Sequence, residues 1–132
     1  MTRPAQLVEL VGSMRRSATE LTGDTPVSPA VRMSGTIDNL VPDHIAEHAE
    51  AVVRELVSNA LRHARATEMT LTVEAGGALV VTMVDNGVGM PPHVARSGLR
   101  NLEQRAAGCG GTCTVADEAG GGTRVTWQVP LD

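Results

Sequence analysis

The feature that most constrains the fold is a nearly unbroken apolar run, Ala78–Val84, that ends at the carboxylate of Asp85. Such a run is typical of a strand buried on both faces. A charge at its end projects from the edge of a core, where a carboxylate needs a partner. Asn86-Gly87-Val88-Gly89-Met90 follows, and glycine adopts positive φ without strain and lets another molecule approach the backbone closely. The stretch therefore predicts a strand and a ligand-facing turn, although a strand ending in an ordinary flexible loop has the same pattern.

The composition of the chain argues against several classes of function. Its 132 residues are enough for one domain with a single core. Trp127 is the only aromatic residue, so we do not expect nucleic-acid binding by base stacking. The net charge of -4, without a dense basic patch, argues against a protein that binds a phosphate backbone. The chain has no lysine, which excludes a Walker A loop because that loop requires one.

The cysteine content and the lack of an opening secretory signal indicate a reduced, cytoplasmic protein. Cys109 and Cys113 could form half of a metal site, but no second pair completes it, so we expect buried or incidental thiols. No apolar stretch is long enough to span a bilayer, and we expect no direct membrane contact.

The spacing of apolar residues predicts how helices and strands are distributed along the chain. They do not alternate regularly as βαβ units, and no G-x-G-x-x-G follows a first strand, which argues against a dinucleotide-binding fold. We therefore predict an α+β fold, a two-layer sandwich with a mixed, mostly antiparallel sheet and helices on one face. The predicted elements are a helix at Gln6–Leu21, an edge strand at Val27–Met33, a helix opening at Pro42-Asp43, a hairpin of Met69–Glu74 with Ala78–Asp85, a helix starting at Ser97-Gly98, and strands at Thr112–Val115 and Thr123–Val129.

The second predicted helix has an apolar arc and a polar arc. Positions three and four apart on a helix stack above one another, so the polar residues form a column. Such a column is either a ligand-binding surface or an ordinary solvated helix face. The apolar arc consists of Ala49, Val53, Leu56, Val57, Ala60 and Ala64, and the column consists of Glu55, Asn59 and Arg62, with His63 at its margin.

A loop or lid is predicted between the glycine turn and the third helix. Pro91–Arg96 is short and rich in proline, which disfavours a stable element. Ser97 is a good helix cap, and a helix start that follows a flexible loop offers unpaired N–H groups to an anion. We therefore expect the third helix to begin at Ser97 and to bind an anion there.

Four motifs in a fixed order resemble those of the ATP-binding domain of two-component sensor histidine kinases. Glu55–Ala64 is similar to the N box of that family, Asp85–Met90 to its first glycine box, Ser97–Ala106 to its second and Gly121–Thr123 to its last. The resemblance covers residues 46–130. The short lid and the pattern Gly-Leu-x-Asn-Leu-x-x-Arg-Ala resemble the subgroup that pairs with NarL-type response regulators, and within it the actinobacterial redox and oxygen sensors of the dormancy-survival type.

The resemblance implies a Bergerat ATP-binding fold of the GHKL superfamily, with ATP and Mg²⁺ as cofactors. Asp85, assisted by Thr123, would accept a hydrogen bond from the exocyclic amine of adenine. Asn59 would hold Mg²⁺ against the phosphates, and Glu55 would orient or deprotonate the incoming nucleophile. The remaining implied ATP contacts are Arg62, His63, Gly87, Gly89, Met90, Ser97, Gly98, Leu99 and Gly122, with His93 and Arg96 in the mobile lid.

The resemblance also implies a division of the chain and a set of partners. Residues 25–132 would be the ATP-binding domain, and residues 1–24 either the tail of a dimerisation segment or a docking helix. No segment resembles the helix pair that carries the phosphoacceptor histidine, so the γ-phosphate would pass to a histidine on a separate domain of the same kinase. A NarL-type response regulator would act downstream, and the full-length protein would be a homodimer.

Three alternatives remain open. His44-Ile-Ala-Glu47-His48 spells H-x-x-E-H, in which two histidines one turn apart could hold zinc. A third zinc ligand is not identifiable, which favours the other interpretation, that both histidines lie in solvent at the start of the second helix. An anti-sigma-factor-type serine kinase would keep the fold and change the substrate. A binding module with a closed pocket would keep the fold and lose the activity.

Overall fold

A computed structural model of the chain contains three helices and five strands in the part of the chain that it describes. The elements are α1 (Arg3–Thr22), β1 (Ala30–Gly35), α2 (Asp43–Arg62), β2 (Met69–Ala75), β3 (Ala78–Asp85), α3 (Pro92–Gly108), β4 (Thr112–Asp117) and β5 (Thr123–Pro130). The described residues are 3–25, 27, 29–35, 41–62, 66–87, 92–118 and 121–131, with side chains described for all of these except 3–11, 62 and 92–98.

The five strands form one sheet in the order β1-β2-β3-β5-β4. β1 pairs parallel with β2, and every other pairing is antiparallel. This confirms the predicted mixed, mostly antiparallel sheet and the edge position of the first strand. β1 starts at Ala30 rather than Val27, because Pro29 has no N–H with which to join the ladder.

The core lies between the helices and one face of the sheet. Residues of β2, β3 and β5 alternate between buried and more exposed positions. Trp127 is fully buried, and its indole N–H donates to the Leu102 carbonyl of α3 at 3.1 Å. The prediction that the Ala78–Val84 run is buried on both faces is wrong. Val80 and Val84 are only half-buried, since the described helices pack on the other face.

The second helix forms as predicted, with Asp43 in its first turn, where a carboxylate suits the positive end of the helix dipole. The carbonyl of Pro42 accepts the first helical N–H bonds, from Ile45 and Ala46. The described members of the apolar arc are all buried: Ala49, Val53, Leu56, Val57 and Ala60. Ala64 lies outside the described residues. α2 therefore turns its apolar arc to the core.

The first helix packs along α2. Met14 and Ala18 are fully buried in this contact region, and the Ser13 hydroxyl donates to the carboxylate of Glu50. The predicted helix is thus present, and two members of its apolar stripe, Met14 and Ala18, are covered.

The third helix begins earlier than the sequence predicted. α3 runs from Pro92 to Gly108, so the expectation of a loop or lid through Arg96 is wrong from Pro92 onward. Pro91 lies outside the described residues. Proline fits the first turn of a helix because the N–H that it lacks has no intrahelical partner there. The helix ends where Gly110 takes a φ of +78° and the Gly111 N–H bonds back to the Ala106 carbonyl at 2.7 Å.

Candidate functional site

Asp85 lies at the end of β3, on the core face, with 7% of its surface exposed. Its Oδ1 accepts the backbone N–H of Gly87 at 2.8 Å, which shapes the turn after the strand. Burial raises the pKa of Asp85 above its ordinary value, and the Gly87 bond partly counters that rise. Oδ2 has no hydrogen-bond partner among the described residues. A buried carboxylate oxygen in this position is suited to a ligand that brings its own N–H donor.

Thr123 lies beside Asp85 on the same face of the sheet, because the two residues are paired between β3 and β5. Its side chain is 8% exposed, and within the described part of the chain nothing bonds to its hydroxyl. Met69, the partner of Asp85 on β2, is also buried and adds an apolar wall. A carboxylate, a hydroxyl and a thioether in one row offer an acceptor, a second polar group and an apolar surface. This combination fits the edge and face of a purine.

Gly122 brings the start of β5 against the end of β3. Its φ is +105°, and a Cβ on this residue would overlap the carbonyl of Asp85. Glycine is therefore required here for packing, whether or not a ligand also approaches. Its assignment as an ATP contact stays a prediction.

The side chain of Asn86 joins the end of β3 to the segment that connects α2 with β2. Oδ1 accepts the backbone N–H groups of Thr67 and Glu68, each at 2.9 Å, and Nδ2 donates to the Thr67 hydroxyl at 2.9 Å. No role for Asn86 was predicted from the sequence. The available signal was its type, because asparagine beside a glycine turn commonly bonds nearby backbone. A partner that lies 19 residues away could not be read from the chain.

Asp85 and Glu55 line two different hollows. The first, of about 200 Å³, lies at the strand ends and includes Asp85, Asn86 and Met69 in its wall. The second, of about 310 Å³, is a groove between α2 and α3 that includes Glu55, Ala51 and Asn101. Residues 63–65 and 88–91, which follow α2 and the glycine turn along the chain, lie outside the described residues. That the two hollows are the two ends of one site stays a prediction.

Asn59 lies on α2 one turn after Glu55, and both side chains are half-buried. Neither makes a hydrogen bond to another described residue. Positions four apart on a helix face the same way. The predicted column is thus present on α2 as far as Asn59, with its polar atoms available to a ligand or to water. Its donor set fits Mg²⁺, which prefers oxygen ligands.

Arg105 and His48 connect the two walls of the groove. The guanidinium Nη1 of Arg105 lies 3.1 Å from His48 Nδ1. Arginine can only donate, so the Nδ1 atom of His48 is the acceptor in this contact. His48 is the second histidine of the H-x-x-E-H pattern, so this contact occupies one of its two ring nitrogens. No group of three His, Cys, Asp or Glu residues able to hold a metal exists among the described residues.

Several predicted site residues fall on parts of the chain that are not described. His63, Gly89 and Met90 lie outside the described residues. Side chains are not described for Arg62, His93, Arg96, Ser97 and Gly98. Their assignments as ATP contacts stay predictions.

The prediction that Ser97 starts a helix is wrong. Ser97, Gly98 and Leu99 lie inside α3, where backbone N–H groups bond to carbonyls four residues earlier. The first-turn N–H groups that lack such partners belong instead to residues 93–95. Leu99 is half-buried and packs against the core. An anion at the start of this helix would therefore meet the backbone several residues earlier than predicted.

Both cysteines are free thiols, as expected. Cys113 is buried on β4 opposite Trp127. Burial, with a smaller effect from the negative charge of Glu103, raises its pKa to about 11. Burial also raises the pKa of the Cys109 thiol. Both groups are thus protonated at neutral pH, which is typical of packing residues rather than reactive ones.

Comparison with known proteins gives the same indication as the motifs. Residues 44–132 match the family described as histidine kinase-, DNA gyrase B-, and HSP90-like ATPases. The nitrate/nitrite sensor protein NarX of Escherichia coli K12 is 40% identical over 90 residues, which are 65% of this chain and 15% of NarX. The sensor histidine kinase LiaS of Bacillus subtilis is 28% identical over 98 residues, 71% of this chain and 27% of LiaS. The chain thus spans less than a third of the length of these relatives.

A solved structure confirms the fold. The ATP-binding domain of PrrB from Mycobacterium tuberculosis superposes with a TM-score of 0.70 at 21% identity, covering 92% of this chain and 93% of that domain. The chain therefore has the fold of the PrrB domain, and the predicted α+β sandwich is confirmed. Across the described residues, no helix combines the length and the apolar character needed to cross a membrane.

Proposed function

Because the chain belongs to the family of histidine kinase-, DNA gyrase B- and HSP90-like ATPases, we propose that it is the catalytic domain of a two-component sensor histidine kinase. It binds Mg-ATP and donates the γ-phosphate to a histidine on a separate dimerisation and phosphoacceptor domain. The observation that carries this proposal is the buried pair of Asp85 and Thr123, whose remaining polar atoms have no partner among the described residues.

Asp85 recognises the base. With Oδ1 held by Gly87, Oδ2 accepts the hydrogen bond from the exocyclic amine of adenine, and the Thr123 hydroxyl contributes a second polar contact. Guanine presents a carbonyl oxygen where adenine presents its amine, so it would place an acceptor against the carboxylate. The proposal therefore includes selectivity for ATP over GTP.

The phosphate end of the site lies along α2. Asn59 holds Mg²⁺ through its amide oxygen, and the bound ion supplies positive charge against the triphosphate. Arg62 and His63 add to that neutralisation. Glu55, one turn before Asn59 and in the groove between α2 and α3, orients the acceptor histidine or takes its proton. Gly87, Gly89 and Met90 of the first glycine box contact the nucleotide. Ser97, Gly98 and Leu99 lie beside it within α3, without offering it the unpaired N–H groups of a helix start.

The chemistry asked of these residues is mainly positioning. Phosphoryl transfer needs an in-line nucleophile and stabilisation of charge on the transferred group, with little covalent participation by the protein. Glu55 acts on the nucleophile, while Asn59 and the neighbouring cationic groups act on the phosphates. Asp85 fixes the nucleotide from its opposite end.

The whole protein is proposed to be a cytoplasmic, homodimeric sensor kinase of the NarL-partner subgroup, with a NarL-type response regulator downstream. The 40% identity with NarX and the pattern from Gly98 to Ala106 support that subgroup. Within it we propose the actinobacterial redox and oxygen sensors. The proposed ATP-binding domain comprises residues 25–132, and the packing of α1 along α2 supports a docking role for the first helix.

The test is a calorimetric titration of the chain with ATP and GTP, with and without Mg²⁺, followed by addition of a phosphoacceptor domain and labelled ATP. We expect magnesium-dependent binding that favours ATP, and an acid-labile, base-stable phosphate on the acceptor. An acid-stable phosphate would indicate serine phosphorylation. Failure to bind ATP would support the closed binding module instead.

A further inference from the structure

We infer that Asn86 is a positioning residue that sets the spacing between the two ends of the site, the base-recognising Asp85 on β3 and the metal-binding Asn59 on α2. The inference rests on the proposed function. It assigns to Asn86 a role that neither its exposure nor its place in the motif indicates.

The side chain of Asn86 makes three hydrogen bonds to the segment before β2. Two backbone N–H groups, of Thr67 and Glu68, converge on its Oδ1, and its amide donates to the Thr67 hydroxyl. In addition, the Asn86 backbone N–H donates to the Glu68 carbonyl at 3.2 Å. We call the three side-chain bonds the Asn86 clip. Asn86 is exposed, so water could satisfy the same polar atoms. The clip therefore orders the segment rather than rescuing a buried polar group.

The clipped segment is also attached to α2. The Ala66 N–H donates to the Ala60 carbonyl at 3.1 Å, and Ala60 is the residue next to Asn59. A continuous series of short links thus runs from the end of α2, through residues 66–68, to Asn86 and Asp85. Beyond Asp85, the Gly87 bond fixes the carboxylate itself. No other side chain among those described bonds β3 to this connecting segment.

Spacing matters because one nucleotide must reach both ends at once. A ligand that is gripped at base and phosphate gains from both contacts only when their separation matches its own length, and a misplacement of about 1 Å can cost a reaction up to about a hundredfold. The pairing of Met69 with Asp85 and the backbone bond from Asn86 to Glu68 hold the chain to β3 as far as Glu68, but they do not hold Thr67, which leads towards α2. The Asn86 clip supplies that constraint.

Two substitutions test whether the clip, rather than some other property of Asn86, affects nucleotide binding. Asn86→Ala removes all three bonds. Asn86→Asp keeps an oxygen that accepts both N–H groups, and the Thr67 hydroxyl can rotate to donate to it. The control is Gln128→Ala, which removes another exposed side-chain amide. Gln128 lies towards the opposite end of β5 from Thr123, the residue that pairs with Asp85.

Amide hydrogen exchange at Thr67 and Glu68 reports the clip without nucleotide, and calorimetry reports Mg-ATP affinity. We expect Asn86→Ala to speed exchange at both amides and to weaken Mg-ATP binding by about tenfold, a loss comparable to one good hydrogen bond. Asn86→Asp should restore slow exchange and most of the affinity. Gln128→Ala should change neither quantity.

Three results would overturn the inference. Faster exchange with unchanged affinity in Asn86→Ala would show that the clip orders a segment on which binding does not depend, and the proposed function would stand. Slow exchange with lost affinity in Asn86→Asp would show that something other than the clip matters. If the wild-type chain failed to bind Mg-ATP, the proposed function would fail and the inference with it, even if the exchange results showed the clip.

Discussion

Replacing Asp85 by asparagine should weaken ATP binding severely while leaving the fold intact. The change keeps the size of the side chain and replaces one carboxylate oxygen by an amide NH₂. In the wild-type protein Oδ1 accepts the Gly87 N–H, and the other oxygen faces the proposed position of the adenine amine. The asparagine has an oxygen at only one of the two positions that the carboxylate oxygens occupy, so it meets one donor and not the other. One of them must then face the amide NH₂, donor against donor.

The size of the effect follows from the bond that is lost. A hydrogen bond to a charged group contributes about 1.5–3 kcal/mol. At about 1.4 kcal/mol per factor of ten, its loss weakens binding by roughly tenfold to a hundredfold. The opposed donors add to this cost, so tenfold is the lower limit of the expected loss.

Calorimetric titration of Mg-ATP into both proteins measures this ratio. A matched control is Asp117→Asn, which makes the same chemical change at an exposed position two strands away and tests for a general effect of charge. Its affinity should stay close to that of the wild type. Equal ATP affinity in Asp85→Asn and the wild type would refute the role assigned to Asp85.

Thermal unfolding of the same variant checks the fold, and the sign of its pH dependence is fixed by the pKa shift. Burial raises the pKa of Asp85 in the folded state, so the folded protein holds that proton more tightly than the unfolded chain. The ionised group therefore lowers stability above its folded-state pKa and contributes no such cost at pH values below its unfolded-state pKa. Asp85→Asn should be at least as stable as the wild type at pH 7, with the difference shrinking as the pH falls through the acidic range. A variant that unfolds at neutral pH would contradict this.

Three further predictions concern other parts of the molecule. Asn59→Ala should abolish the magnesium dependence of nucleotide binding, measured by titration with and without Mg²⁺; a persisting dependence would point to other ligands. Gly122→Ala should lower the melting temperature more than Gly121→Ala, because both residues have a φ of +105° and only Gly122 lacks space for a Cβ; equal losses would contradict the packing argument. Trp127→Phe should cost about 1–3 kcal/mol in chemical denaturation, since it removes buried surface and leaves the Leu102 carbonyl without its indole donor; a change below about 0.5 kcal/mol would show that the core repacks there.

The sequence predicted the buried faces correctly wherever apolar residues recur at the spacing of a strand or a helix. The alternation Thr123, Val125, Trp127 and Val129 predicted the buried face of β5, and these residues are buried. The apolar arc of α2 was readable for the same reason. It was less informative for Pro91–Arg96, because proline is compatible with a loop and also with the first turn of a helix. The structure places a helix start at Pro92.

The sequence by itself determined the order of the elements, the α+β class and the four motifs, because periodicity and turn residues act over a few neighbouring positions. Only the tertiary structure decided which side of β3 is covered, and only it paired Asn86 with Thr67 and Arg105 with His48. Those pairs lie 19 and 57 residues apart along the chain. Nothing local to either residue records such a distant partner, because the contact exists only after the sheet and helices have packed.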